Sequence, residues 1–154
     1  AANKTCTPRR PSSGCGNWPA SATNSAVWLP PCMSQVCFLL DEHVPPLIQT
    51  QLARLEPELR AYRIGDDLMP ATGTPDPDIL AWIEANGCLL LTNNRASMPG
   101  HLVDHLALGR HVPGIIQLPR RMNIRTILDD LWLIWTAARP DEFRDQIVYL
   151  PLQR

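Results

Sequence analysis

The chain has 154 residues, 45% of them hydrophobic, with 14 Lys+Arg against 15 Asp+Glu and a net charge of −1. That length suits a single domain with a substantial core; the near-neutral balance excludes a polycation or an acidic disordered tail, and no apolar run approaches the ~18 residues of a membrane span, so a soluble protein is expected. The charge is unevenly placed, because residues 1–40 carry only Lys4, Arg9 and Arg10, whereas residues 41–154 hold all 15 acids against 11 Arg and no Lys, a net of −4.

Residues 1–32 contain five Pro and seven Ser/Thr and show neither helical nor strand periodicity. Such a stretch buries too little apolar surface to offset its ordering entropy, so it reads as a disordered leader. Ala26-Val27-Trp28-Leu29 is too short for a secretory core. The expectation is upstream or dispensable sequence, with Met33 the natural start and the domain spanning 33–154; a flexible tail and a transit-type leader are the alternatives. The five cysteines form no Cys-x-x-Cys pair. Cys6, Cys15 and Cys32 lie in the leader, and Cys37 and Cys88 read as separate buried thiols inside strands, as in a reducing, cytoplasmic setting.

From Val36 short apolar runs alternate with amphipathic stretches. Val36–Leu40 reads as a buried strand. Pro45–Leu55 reads as a helix, with Val44, Leu47, Ile48, Leu52 and Leu55 on one face. Leu59–Ile64 alternates as a strand does, and 65–75 is a loop. Asp76-Pro77 opens a second helix that Gly87 is placed to cap. Cys88–Leu91 is the next buried strand. A short helix over 99–108, a strand over 112–118, a strongly amphipathic helix from Ile124 to Trp135 and a strand over 146–150 complete the pattern.

Apolar strands separated by helices predict an α/β, three-layer αβα domain with a mostly parallel sheet of about five strands. In such a sheet ligands bind at the carboxyl ends of the strands, where strand order reverses. The residues to inspect are therefore Asp41, Glu42 and His43, then Gly65, Asp66 and Asp67, then Thr92, Asn93, Asn94 and Arg95. Asp41 stands too far ahead of Pro45 to be that helix's cap, which favours a site role. Glu42, its neighbour in an extended segment, is expected to point the other way.

Asp76 looks like an N-cap that also faces the crevice, and Asp78 complements the helix dipole. His101, Asp104 and His105 place two imidazoles at i, i+4 beside a carboxylate, a spacing that could bind zinc but reads more simply as a polar surface. Arg120, Arg121 and Arg125 are the densest basic cluster of the folded part and the place where RNA phosphates would touch; an ordinary solvated surface is the plainer reading. A Ser/His/Asp or Cys/His arrangement and a Gly-rich phosphate loop are both lacking. A phosphorylated receiver domain shares the expected sheet, but it needs an Asp after the third strand and a late Lys, and no Lys follows Lys4.

Phe38-Leu39-Leu40-Asp41-Glu42-His43-Val44-Pro45-Pro46 resembles the opening of PIN-like domain proteins, the group of the VapC-type toxins and other PIN nucleases. Thr74-Pro75-Asp76-Pro77-Asp78-Ile79-Leu80 and Thr92-Asn93-Asn94-Arg95 match the same group in order and spacing, and the resemblance spans roughly residues 35–152. It implies a metal-dependent endoribonuclease using Mg²⁺ or Mn²⁺, with RNA as substrate, a small antitoxin as partner, and often a homodimer. It further implies Asp41 and Asp76 as metal ligands, both catalytic together with Asn94, and Glu42, Thr92, Asn93 and Arg95 as supporting or substrate-binding residues.

The family's third acid follows the strand-end Thr, where this chain has Asn93 and Asn94. An Asn keeps an oxygen ligand but removes a charge. One unit-charge term is worth about 4 kcal/mol at ~4 Å and an effective dielectric of ~20, so weaker metal binding is implied. Loss of catalysis, leaving a PIN-like binding or regulatory module, is the alternative. Glu42, Asp67 or Asp104 are the acids that could compensate.

Overall fold

The structure, a computed structural model, describes residues 36–121, 123–139 and 141–152. The expected leader, its start at Met33 and its three cysteines lie outside those residues. Among the described residues the chain forms an α/β fold of five strands and four helices. These are β1 (Cys37–Leu40), α1 (Pro46–Leu55), β2 (Ala61–Arg63), α2 (Asp76–Asn86), β3 (Cys88–Thr92), α3 (Met98–Ala107), β4 (Ile115–Gln117), α4 (Ile124–Ala137) and β5 (Ile147–Tyr149).

The strands make one sheet in the order β2-β1-β3-β4-β5, every neighbouring pair parallel. The two-residue period of the strands sorts the core into two halves. Phe38, Leu40, Leu89, Leu91 and Ile116 face the layer made by α1 and α4, whereas Cys37, Leu39, Cys88, Leu90 and Ile115 face α2 and α3. A parallel sheet covered on both faces explains why β1 and β3 are apolar at nearly every position. No helix among the described residues is long and apolar enough to cross a membrane.

The helix boundaries follow local chemistry. Proline sits in the first turn of α1, α2 and α3, where its missing N–H costs nothing. Gly87 ends α2 in the left-handed region at φ 68°, with its N–H bonded to Ile83 O. Asn123 caps α4, its side-chain oxygen accepting from the N–H groups of Arg125 and Thr126.

The structure departs from the sequence reading in several places. Cys37 and Cys88 are joined as a disulfide rather than standing as separate thiols. They are register partners on β1 and β3 with Cα atoms 4.8 Å apart, so their side chains leave the sheet side by side within bridging reach. On α1 only Ile48 and Leu52 are buried; Leu47 and Leu55 are about half exposed, because the helix meets the sheet along a narrower stripe than the apolar pattern suggested. On α4 the buried set is Ile127, Leu128, Leu131 and Ile134, joined by Asp130, whose Oδ2 accepts the N–H of Leu152. The i, i+4 histidines of α3 do not act together. His101 turns toward Asp76, while His105 is buried and turns toward Glu84.

Candidate functional site

The strand order reverses between β1 and β3, since β1 leads out to β2 on one side and to β3 on the other. Parallel doubly wound sheets open a crevice at this point, because the loops leaving the two strands turn to opposite faces. Here a cavity of about 310 Å³ is lined by Asp41, Glu42 and His43 after β1, Thr74 and Asp76 ahead of and at the start of α2, and Asn93 and Asn94 after β3. The buried side chains of Ile64 and Ile79 complete its lining.

Asp41 follows immediately on β1 and is 7% exposed. Its N–H donates to Leu91 O of β3, which ties it to the strand beside it. Thr92, the last residue of β3 and fully buried, donates its hydroxyl to Asp41 Oδ2 at 2.7 Å. The same hydroxyl oxygen accepts the N–H of Asn94 at 3.0 Å. Two strand ends are thus joined by a single hydroxyl that fixes the Asp41 carboxylate and the turn carrying Asn94. The other Asp41 oxygen faces His43 Nδ1 at 3.9 Å.

Asp76 is the first residue of α2 but its side chain caps nothing. It reaches instead across to the β3–α3 turn. Its Oδ2 accepts from Asn94 Nδ2 and Ser97 Oγ, both at 3.1 Å, and lies 3.5 Å from His101 Nε2. Asn94 closes this small network by donating to Ser97 Oγ at 2.7 Å. These contacts distinguish Asp76 from an ordinary cap and bring it to the same cavity as Asp41.

Glu42 also lines the cavity, because β1 ends at Leu40 and residues 41–44 form a turn in which the extended alternation no longer holds. Its Oε2 accepts the N–H of Gly73 at 2.8 Å, pinning the loop ahead of α2. Asn93 donates to His43 O at 3.1 Å. Arg95 is placed elsewhere: its guanidinium donates twice to Leu118 O and lies over the Tyr149 ring, on the β4–β5 side. Asp67 and Asp104 are exposed and do not line the cavity.

Ser97 and His101 contact Asp76 Oδ2 without lining the cavity, and were not singled out for this by sequence reasoning. The signal was present in the position of α3, whose first turn directly follows the Thr92–Arg95 segment and so must face the same edge of the sheet.

Among the described residues the cavity's lining carries three carboxylates and no Lys or Arg. Among the described residues no group of three or more His, Cys, Asp or Glu is arranged to hold a metal ion. The donor set is nevertheless compatible with a hard divalent cation, since Mg²⁺ typically takes one or two carboxylates and retains several waters. Asp41 Oδ1 and Asp76 Oδ1 are the oxygens left outside the hydrogen bonds described above. Comparison with protein-family models, curated proteins and solved structures finds no match for this chain.

Proposed function

We propose that the crevice is the active site of a PIN-like, metal-dependent ribonuclease of the type that acts as the toxin beside a small antitoxin. One observation carries the reading: Asp41 and Asp76, far apart in sequence, line one cavity at the switch point of a parallel sheet. Asp41 and Asp76 would hold Mg²⁺ or Mn²⁺, and the bound ion would polarise a phosphodiester and lower the pKa of an attacking water. Thr92 orients the Asp41 carboxylate, while Asn94 and Ser97 orient that of Asp76. His43 and His101, each near one carboxylate, are the titratable groups best placed to move a proton.

A second reading draws on Asn94. Its amide donates to Asp76 where the family pattern has a third acid, so the site can also be that of a catalytically silent binding module. Incubation of the full chain with RNA and Mg²⁺ or Mn²⁺, beside Asp41→Asn, separates the two. Cleavage that needs the metal and is lost in Asp41→Asn supports the nuclease. Cleavage unchanged by Asp41→Asn removes the crevice as its source. Absence of both cleavage and calorimetric Mn²⁺ binding selects the silent module, and Asn94→Asp should then raise Mn²⁺ affinity.

A further inference from the structure

The crevice stands on one seam of the sheet, and that seam carries a covalent device at its other end. β1 and β3 pair in register from Cys37↔Cys88 through Leu40↔Leu91, after which Asp41 bonds to Leu91 O and to the Thr92 hydroxyl. The disulfide and the carboxylate therefore sit at opposite ends of the same two strands, about 13 Å apart at ~3.3 Å per residue. Among the described residues no other pair of strands shares both features.

We propose that Cys37 and Cys88 are a reversible redox pair that sets how firmly the β1–β3 seam, and with it the Asp41–Thr92 contact, is held. This does not depend on what the crevice binds. Closure converts two S–H groups into one S–S bond. The Cys37 thiolate attacks a low-molecular-weight disulfide such as oxidised glutathione and expels one thiolate, which takes a proton. The Cys88 thiolate then attacks the Cys37 sulfur of the mixed disulfide and releases the second thiol. Two electrons and two protons pass to the oxidant, which leaves as two thiols. A dithiol reductant reverses both steps.

Position decides the consequence. Cys37 is 5% exposed and Cys88 0%, so exchange with an outside thiol requires the amino end of the seam to open. Such opening need involve only the first register pair of the two strands, because Cys37↔Cys88 is the amino-terminal pair of the β1–β3 ladder and Asp41 lies beyond its other end. In the reduced protein the two strands are held by ladder hydrogen bonds and packing alone. Closing a loop across a sequence separation of 51 also restricts the unfolded chain, so the oxidised form is the more stable.

The test uses the full chain equilibrated with oxidised or reduced glutathione. Alkylation and peptide mapping assign Cys37 and Cys88 apart from Cys6, Cys15 and Cys32, and hydrogen exchange is followed in both states. Oxidised glutathione should link the two peptides, and reduction should lower Tm by about 10 °C. Amides of residues 38–41 and 89–92 should exchange at least about tenfold faster on reduction, with a smaller change along β4 and β5. A Cys37→Ala/Cys88→Ala chain should behave as the reduced form and ignore glutathione; if it does not fold, the two states of the unaltered chain suffice. Free alkylation of both cysteines after oxidation overturns the proposal. So does equal acceleration of exchange across all five strands, which would place the effect in the unfolded chain rather than in the seam.

Discussion

Thr92 is the residue on which the site's geometry turns. Its hydroxyl donates to a carboxylate that is nearly out of water, and its oxygen holds the N–H of Asn94. Thr92→Val keeps the shape and deletes both bonds, leaving Asp41 without its hydroxyl donor. The expected loss is about 1–3 kcal/mol in urea unfolding, with Thr92→Ser recovering most of it. Asp41→Asn should behave differently. It relieves the burial of a charge, so stability should change by no more than about 1 kcal/mol, while calorimetric Mn²⁺ affinity, if the proposed function holds, drops about tenfold or more. A residue that matters for the fold would show the reverse order of effects.

At the scale of the element, two glycines separate conformational strain from steric exclusion. Gly87 caps α2 at φ 68° with open space where a Cβ would stand, so Gly87→Ala carries only the left-handed penalty of about 1–2 kcal/mol. Gly114 leads into β4 at φ 146°, and a Cβ there would lie 2.6 Å from Phe143 Cβ and 2.7 Å from Phe143 O. That contact includes backbone and cannot be relieved by turning a side chain. Thermal melts should therefore show Gly114→Ala losing markedly more than Gly87→Ala. The cap role of Gly87 was legible from the sequence, as were the strand ends bearing Asp41 and Thr92, because runs such as Cys37–Leu40 and prolines at helix starts are local signals. Strand pairing was not. Cys37-Phe38-Leu39-Leu40 and Cys88-Leu89-Leu90-Leu91 are interchangeable as buried runs, and nothing in either states that they lie side by side. The disulfide was hidden for the same reason, and so was the burial of Asp130, whose partner Leu152 comes from beyond β5. The carboxylate pair stood out by its strand-end and helix-start positions, whereas Ser97 and His101 carried the weaker signal of lying just beyond the Thr92–Arg95 segment, and their contact with Asp76 depends on how α3 packs.

Among the described residues, two carboxylates anchor a set of ionic cross-links at the amino-terminal ends of the strands, away from the crevice at their carboxyl ends. Glu84, near the end of α2, accepts from Arg110 Nε at 2.8 Å and from the His111 N–H at 3.1 Å, and lies 3.2 Å from His105 Nε2. Asp145, ahead of β5, accepts the Val112 N–H at 2.9 Å and pairs with His111 Nδ1 at 2.7 Å. Together they bind α2, α3, the approach to β4 and the approach to β5. Partial burial pushes both carboxyls upward, but for Glu84 the His111 N–H and the Arg110 and His105 charges outweigh it, and for Asp145 the Val112 N–H, His111 and Arg144 do. Both therefore lie below their ordinary values of 4.5 and 3.8. A carboxyl depressed by folding gives up fewer protons in the unfolded chain than in the folded one near its pKa, so its stabilisation is complete above the unfolded value and vanishes as pH falls through the folded one. Each carboxyl should add about 1–2 kcal/mol at neutral pH through its charged hydrogen bonds. Urea unfolding of the unaltered chain, Glu84→Gln and Asp145→Asn should show gaps of that size at pH 7. The Glu84 gap should begin to close below about pH 4.5 and the Asp145 gap below about pH 3.8, with neither surviving where both folded carboxyls are protonated. Gaps that persist unchanged to pH 2 would assign the stabilisation to packing rather than to charge. Because these links lie at the opposite ends of the strands, neither substitution should alter the hydrogen bonds that join Asp41, Thr92, Asn94 and Asp76; if the proposed function holds, Mn²⁺ titration of the two variants at pH 7 is the check, and affinity should match that of the unaltered chain within about twofold, as expected for sites that share no partners.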